Sequence, residues 1–254
     1  MKRLVATTVA VFTASSLLVG CGAAPTTIEN PNFQEESSTE QASPSPTAEA
    51  SESPSPTATA EPTPEKPQQK DLSVVETYFW PDDDYGSWNF VAYIKNDNDD
   101  FAWIFESFYF EAFDSDGVLL DSSMEYATIL PSSTEVFYGY WFGIGNNIVT
   151  SMEFRGPTSG TLLDSETGSF EVESVEYSNG PFSSEVSGVI VSSFFEDQES
   201  VEVVVVVRDS QGVIVTADNS YVSRVPAGGK ARFEVTLFDF EVLDSMEIEV
   251  YPKL

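Results

Sequence analysis

From residue 71 onward the chain alternates short apolar runs with polar, turn-forming clusters. The runs are dense in Val, Ile, Phe and Tyr, and Gly, Pro, Asn, Asp and Ser interrupt them, which is the texture of β-strands joined by turns. No stretch keeps a 3.6-residue apolar period for a dozen residues, so no helix is expected. The pattern predicts strands near 72–79, 88–95, 103–113, 117–123, 134–142 and 148–155. It predicts six more near 169–177, 185–193, 200–208, 212–218, 230–238 and 244–251. Strands this short at this spacing imply an all-β fold, read here as two tandem β-sandwich domains over 71–157 and 168–254. The run "VEVVVVVRD" from Val201 is too apolar for an exposed edge and is expected at the centre of its sheet.

The two halves repeat one another. "FYFEAFDSDGVLL" from Phe108 and "VVVVVRDSQGVIV" from Val203 both read strand, Asp-x-x-Gly turn, strand. At an offset of 95, Val91 falls on Val186, Asp114 on Asp209, Gly117 on Gly212 and Pro131 on Pro226; after one inserted residue, Phe137 falls on Phe233 and Glu153 on Glu249. An offset held over that length marks a duplication. The repeated aspartates are placed to accept backbone N–H groups within the turn, and the repeated glycines to supply positive φ.

The stretches "FDSDGVLL…TILPSSTEVF" and "RDSQGVIV…SRVPAGGKARF" resemble the FxLYD-type domain, an immunoglobulin-like sandwich of bacterial surface proteins. The first lacks that family's turn glycine, and the second has Lys230 where an acid is common. The resemblance implies binding or scaffolding modules and brings no catalytic set.

The N-terminus reads as an address. In "MKRLVATTVAVFTASSLLVGC", Lys2 and Arg3 precede an apolar segment too short to span a membrane comfortably, which is the pattern of a signal peptide over 1–20. Leu18-Val19-Gly20-Cys21 resembles the lipobox of bacterial lipoproteins. That likeness implies lipidation of Cys21 with acyl chains of the palmitate kind, cleavage before it, and anchoring at the outer face of the cell membrane. Residues 21–70 are rich in Pro, Ser, Thr and Glu with almost no large apolar side chains, so a disordered linker is expected. A spacer of that length suits a Gram-positive cell wall.

Charge and residue inventory narrow the chemistry. The chain carries 42 Asp and Glu against 11 Lys and Arg, a net charge of −31, which disfavours nucleic acid and favours cationic, neutral or metallic partners. There is no histidine, and Cys21 is the sole cysteine, so His-dependent triads, imidazole acid–base chemistry and Cys or His zinc sites are excluded. No cofactor and no catalysis are expected. All four tryptophans lie in the first half, and "PDDDYGSWNF" sets Tyr85 in an acidic loop. Trp80, Tyr85 and Trp88 are therefore candidate ligand-binding residues, suited to a peptide, glycan or surface-protein partner; core packing is the alternative. Asp82, Asp84, Asp114 and Asp116 are expected at one pole, where they would share a calcium ion or splay into water. The reading is a lipid-anchored binding protein, with a structural envelope spacer as the alternative.

Overall fold

The computed structural model describes residues 68–82, 86–164 and 167–254. The signal segment, the lipobox with Cys21, most of the linker, and Asp84 and Tyr85 lie outside them. All described residues belong to one compact unit, Pro62–Leu254.

The described residues form thirteen strands and no helix. The first half holds β1 (Ser73–Asp82), β2 (Ser87–Lys95), β3 (Phe101–Phe113), β4 (Leu119–Ile129), β5 (Thr134–Trp141) and β6 (Ser151–Arg155), followed by the two-residue β7 (Thr161–Leu162). The second holds β8 (Phe170–Asn179), β9 (Ser183–Ser192), β10 (Gln198–Arg208), β11 (Ile214–Val225), β12 (Lys230–Phe238) and β13 (Glu247–Lys253). Sheets β1-β2-β5 and β4-β3-β6 make the first sandwich, with β7 on the start of β3. Sheets β8-β9-β12 and β11-β10-β13 make the second. The order is the same in both halves and all pairings are antiparallel, as in immunoglobulin-like sandwiches. The twelve predicted strands are all present. The fourth runs on to Ile129 because Met124 to Ile129 keeps an exposed–buried alternation.

The turn chemistry recurs as the repeat requires. Asp114 Oδ1 accepts from the Asp116 and Val118 amides at 2.9 Å each, and Asp209 Oδ1 from those of Gln211 and Val213 at 2.8 and 3.0 Å. Gly117 and Gly212 hold φ of +74° and +80°, a region that penalises any Cβ.

One detail of the repeat is corrected by the register. Phe137 pairs with Ala92, and its counterpart Phe233 pairs with Gly188, so β2 and β9 match at an offset of 96. Val91 therefore corresponds to Ser187, and Val186 to Phe90. A slip of one residue moves a side chain to the other face of a strand. Accordingly Val186 points into its own sandwich whereas Val91 points out of its own.

The core is layered. Phe90, Ala92 and Ile94 of β2 pack with Trp103, Phe108 and Phe110 of β3 inside the first sandwich. Val201, Val203, Val205 and Val207 of β10 pack with Val186 and Ile190 of β9 and Phe233 and Val235 of β12 inside the second. A third cluster joins the halves: Val91, Tyr93 and Val136 meet Val204, Val206, Ile214 and Ala217. Four sheets thus stack in the order β4-β3-β6, β1-β2-β5, β11-β10-β13, β8-β9-β12. Strands β2 and β10 are covered on both faces, which is why the valine run shows no polar alternation. It is central in its sheet, as expected. The halves meet through unlike faces, the β1-β2-β5 sheet of one against the β11-β10-β13 sheet of the other.

Polar groups close the seam. Arg208 forms a fork on Glu76, at 2.9 Å to Oε1 and 2.8 Å to Oε2, while its Nε lies 3.1 Å from Glu249 Oε1. The same guanidinium donates to the Tyr93 hydroxyl at 3.0 Å, which donates in turn to Glu249 Oε2 at 2.7 Å. Bidentate pairing and stacked donors are what Arg supplies and Lys does not. Further along, the buried Lys253 ammonium lies 3.2 Å from Glu202 Oε2 and over the Phe137 ring at 4.3 Å, without a well-aligned hydrogen bond. The Thr128 amide of β4 donates to the carbonyl of Leu254 at 2.8 Å, docking the end of the chain on the first sandwich.

Candidate binding cleft

Where the stacked sheets part beyond this seam, they leave a cleft of about 630 Å³. Strand β1 supplies Trp80, and the following residues Pro81 and Asp82 reach the rim. Strand β5 contributes Tyr138 and Tyr140, with Phe142 just past its end. Spacing by two puts these three aromatic side chains on one face of an extended chain. The second sandwich supplies Val215 to Asp218 of β11 and Phe238 to Phe240 at the end of β12.

The aromatic rings fall into two groups. Trp80 and Tyr138 stack with centroids 6.4 Å apart and planes 26° from parallel, and Tyr78 extends the row at 5.5 Å from Trp80. Tyr140 and Phe142 meet edge to face at 4.5 Å. The Tyr138 hydroxyl donates to Asn89 Oδ1 at 3.3 Å, which fixes the ring. Trp80 and Tyr138 are half-buried, but Phe142 is 67% and Phe238 72% exposed. Large apolar groups left in water around a concavity are a feature of binding surfaces.

The electrostatics of the cleft are one-sided. Among the described residues, Asp82, Asp218 and Asp239 line it and no Lys or Arg does. Desolvation pushes the Asp218 carboxyl above its ordinary range, and only the Asn219 amide, 2.8 Å away, opposes it. The Tyr138 phenol is raised well above its usual value, chiefly by burial and then by the negative charges of Asp218 and Asp82. A buried carboxylate lacking a nearby cation behaves in this way.

The candidates from the sequence are placed as follows. Trp80 lines the cleft. Trp88 does not join it, because the pleat turns it to the opposite face, against Phe79 at 6.2 Å and the first core. Asp82 is at the rim, whereas Asp114 and Asp116 belong to the β3–β4 turn, where Asp114 is engaged by backbone amides. Among the described residues no three acidic side chains converge to hold a metal ion. The sequence reading missed Phe142, Asp218, Phe238, Asp239 and Phe240. The alternation of Tyr138, Tyr140 and Phe142 was the available signal for the first of these, and no local pattern marks the residues from β11 and β12.

No family model and no curated protein matches the sequence. Among solved structures, the crystal structure of red sea bream transglutaminase is similar over 73% of this chain, at 9% identity and a TM-score of 0.23. The chain spans 29% of that structure's length, and nothing of that protein's activity passes to it on such a likeness.

Proposed function

We propose that the chain is a lipid-anchored, extracytoplasmic binding protein of a bacterial, Gram-positive type of envelope, without catalytic activity. Cys21 carries the lipid, the Pro/Ser/Thr-rich linker spaces the folded unit from the membrane, and the paired FxLYD-like sandwiches present the binding surface. The observation that carries this reading is the cleft at the sandwich junction, with its exposed aromatic rings and one-signed charge. Among the described residues its lining pairs no nucleophile with a histidine, lysine or cysteine, which favours recognition over chemistry.

Two experiments test it. Metabolic labelling with an alkyne fatty acid should mark the wild-type chain and not Cys21→Ser. Peptide and glycan arrays probed with wild type and Phe142→Ala, whose ring is 67% exposed in the cleft, should show binding that the variant loses while keeping its melting temperature. Arrays blank for both proteins would leave a spacer role and sink the binding reading.

A further inference from the structure

Building on the binding role proposed for the cleft, we infer that it takes its ligand through an alkylammonium group, such as a lysine side chain or a quaternary amine. Three features of the site converge on this chemistry.

The first is charge. Lys95, Arg155, Arg208, Arg224, Lys230 and Lys253 each pair with a carboxylate elsewhere in the fold. None of these ion pairs among the described residues involves Asp218 or Asp239. Asp218 and Asp239 thus stand in the cleft without an ion-pair partner among the described residues. The net charge of −31 adds a long-range field that draws cations in.

The second is the aromatic surface. The faces of Trp and Tyr rings carry negative quadrupole charge and attract a cation placed over them, Trp most strongly. Trp80 and Tyr138 stack at 26° with their centroids 6.4 Å apart, and both rings line the cleft beside the acids. A carboxylate beside such a face is complementary to an ammonium that carries an apolar stem, since the stem meets the rings and the charge meets the acid.

The third is size. A volume of about 630 Å³ exceeds what a bare metal ion needs, and no three carboxylates among the described residues close around one. The lining favours an organic cation over an inorganic one.

The test uses the full chain in nonionic detergent, followed by tryptophan emission and calorimetry. Choline and its uncharged isostere 3,3-dimethylbutan-1-ol are titrated separately, and a lysine-bearing peptide with its norleucine analogue forms a second arm. We expect each cation to bind at least about tenfold more tightly than its neutral partner, the scale of one cation–π contact with a charge partner. Asp218→Asn should weaken cation binding by about tenfold without lowering the melting temperature, and Trp80→Ala should abolish it. The preferred arm tells whether the source is a side chain or a free amine. Equal binding of charged and neutral partners would overturn the inference and leave a binding cleft of other specificity. No binding in either arm would overturn it too, and the arrays would then decide the broader reading.

Discussion

Truncating Val206 to Ala tests whether the two sandwiches are one cooperative body. Val206 is fully buried, belongs to the second half by sequence, and packs in the cluster shared with Val91, Tyr93 and Val136 of the first. The change removes two methyl groups, about 1.6 kcal/mol at ~0.8 kcal/mol per buried carbon. The cavity left between two rigid sheets adds on the order of 1 kcal/mol, for a total of about 2–3 kcal/mol. In a unit of roughly 190 residues that corresponds to a fall in Tm of about 5–10 °C. The assay exploits an accident of composition: all four tryptophans lie in the first half, and Trp103 and Trp141 are fully buried there. Tryptophan emission therefore reports the unfolding of the sandwich that was not mutated. Shared burial predicts that this signal shifts by the full amount, coincident with far-ultraviolet circular dichroism. Val205→Ala, directed into the second core, should do the same. An unmoved tryptophan transition, with a separate earlier loss of circular dichroism, would refute the coupling.

Three other outcomes follow from the same structure. Desolvation pushes the Glu135 carboxyl up to about 8 against the opposing influence of Lys253 and Ser133, so the folded chain holds a proton there that the unfolded chain releases above about pH 4.5. Stability should therefore fall as pH rises from about 4.5 to 8, by up to about 1.4 kcal/mol per unit for that proton, and Glu135→Gln should make the slope shallower; denaturation curves that stay parallel across this range would contradict the assignment. Asp209→Ala removes the acceptor for two turn amides and should cost about 1–2 kcal/mol in urea unfolding, with Asp114→Ala costing a similar amount. Gly188→Ala would set a Cβ 2.7 Å from the Phe233 ring and should destabilise by about 1–3 kcal/mol, and a neutral result would mean the ring moves aside.

Local physics made most of the strands and turns legible. Each strand needs only a run of β-branched and aromatic residues with turn residues at its ends, and each Asp-x-x-Gly turn is complete within five residues. The doubled character of the valine run could be read as central placement, yet not as burial on two faces by two different partners. That depends on Val204 and Val206 joining Val91, Tyr93 and Val136 in one cluster across the seam, which no local pattern encodes. The same limit explains the site. Trp80 was visible as an aromatic beside acids, but Trp88, similar in composition and setting, falls on the other side of the pleat. Asp218 and Phe238 enter the cleft only because the second sandwich docks there. The Val91–Val186 match failed because a strand repeats every two residues, so apolar identity alone fixes neither register nor face.

The unlike-face contact between the halves has a consequence for assembly. A duplicated module that packs front to back carries, in principle, the instructions for an open-ended polymer, since the last copy still presents a front. Here the positions of β9 and β12 equivalent to Val91, Val136 and Tyr138 are Ser187, Arg232 and Glu234, and the last two are exposed. A further copy docking on that surface would have to strip water from an arginine and a glutamate with no matched partner. The outer face of the second half is thus poorly matched to a further copy docking in the same way.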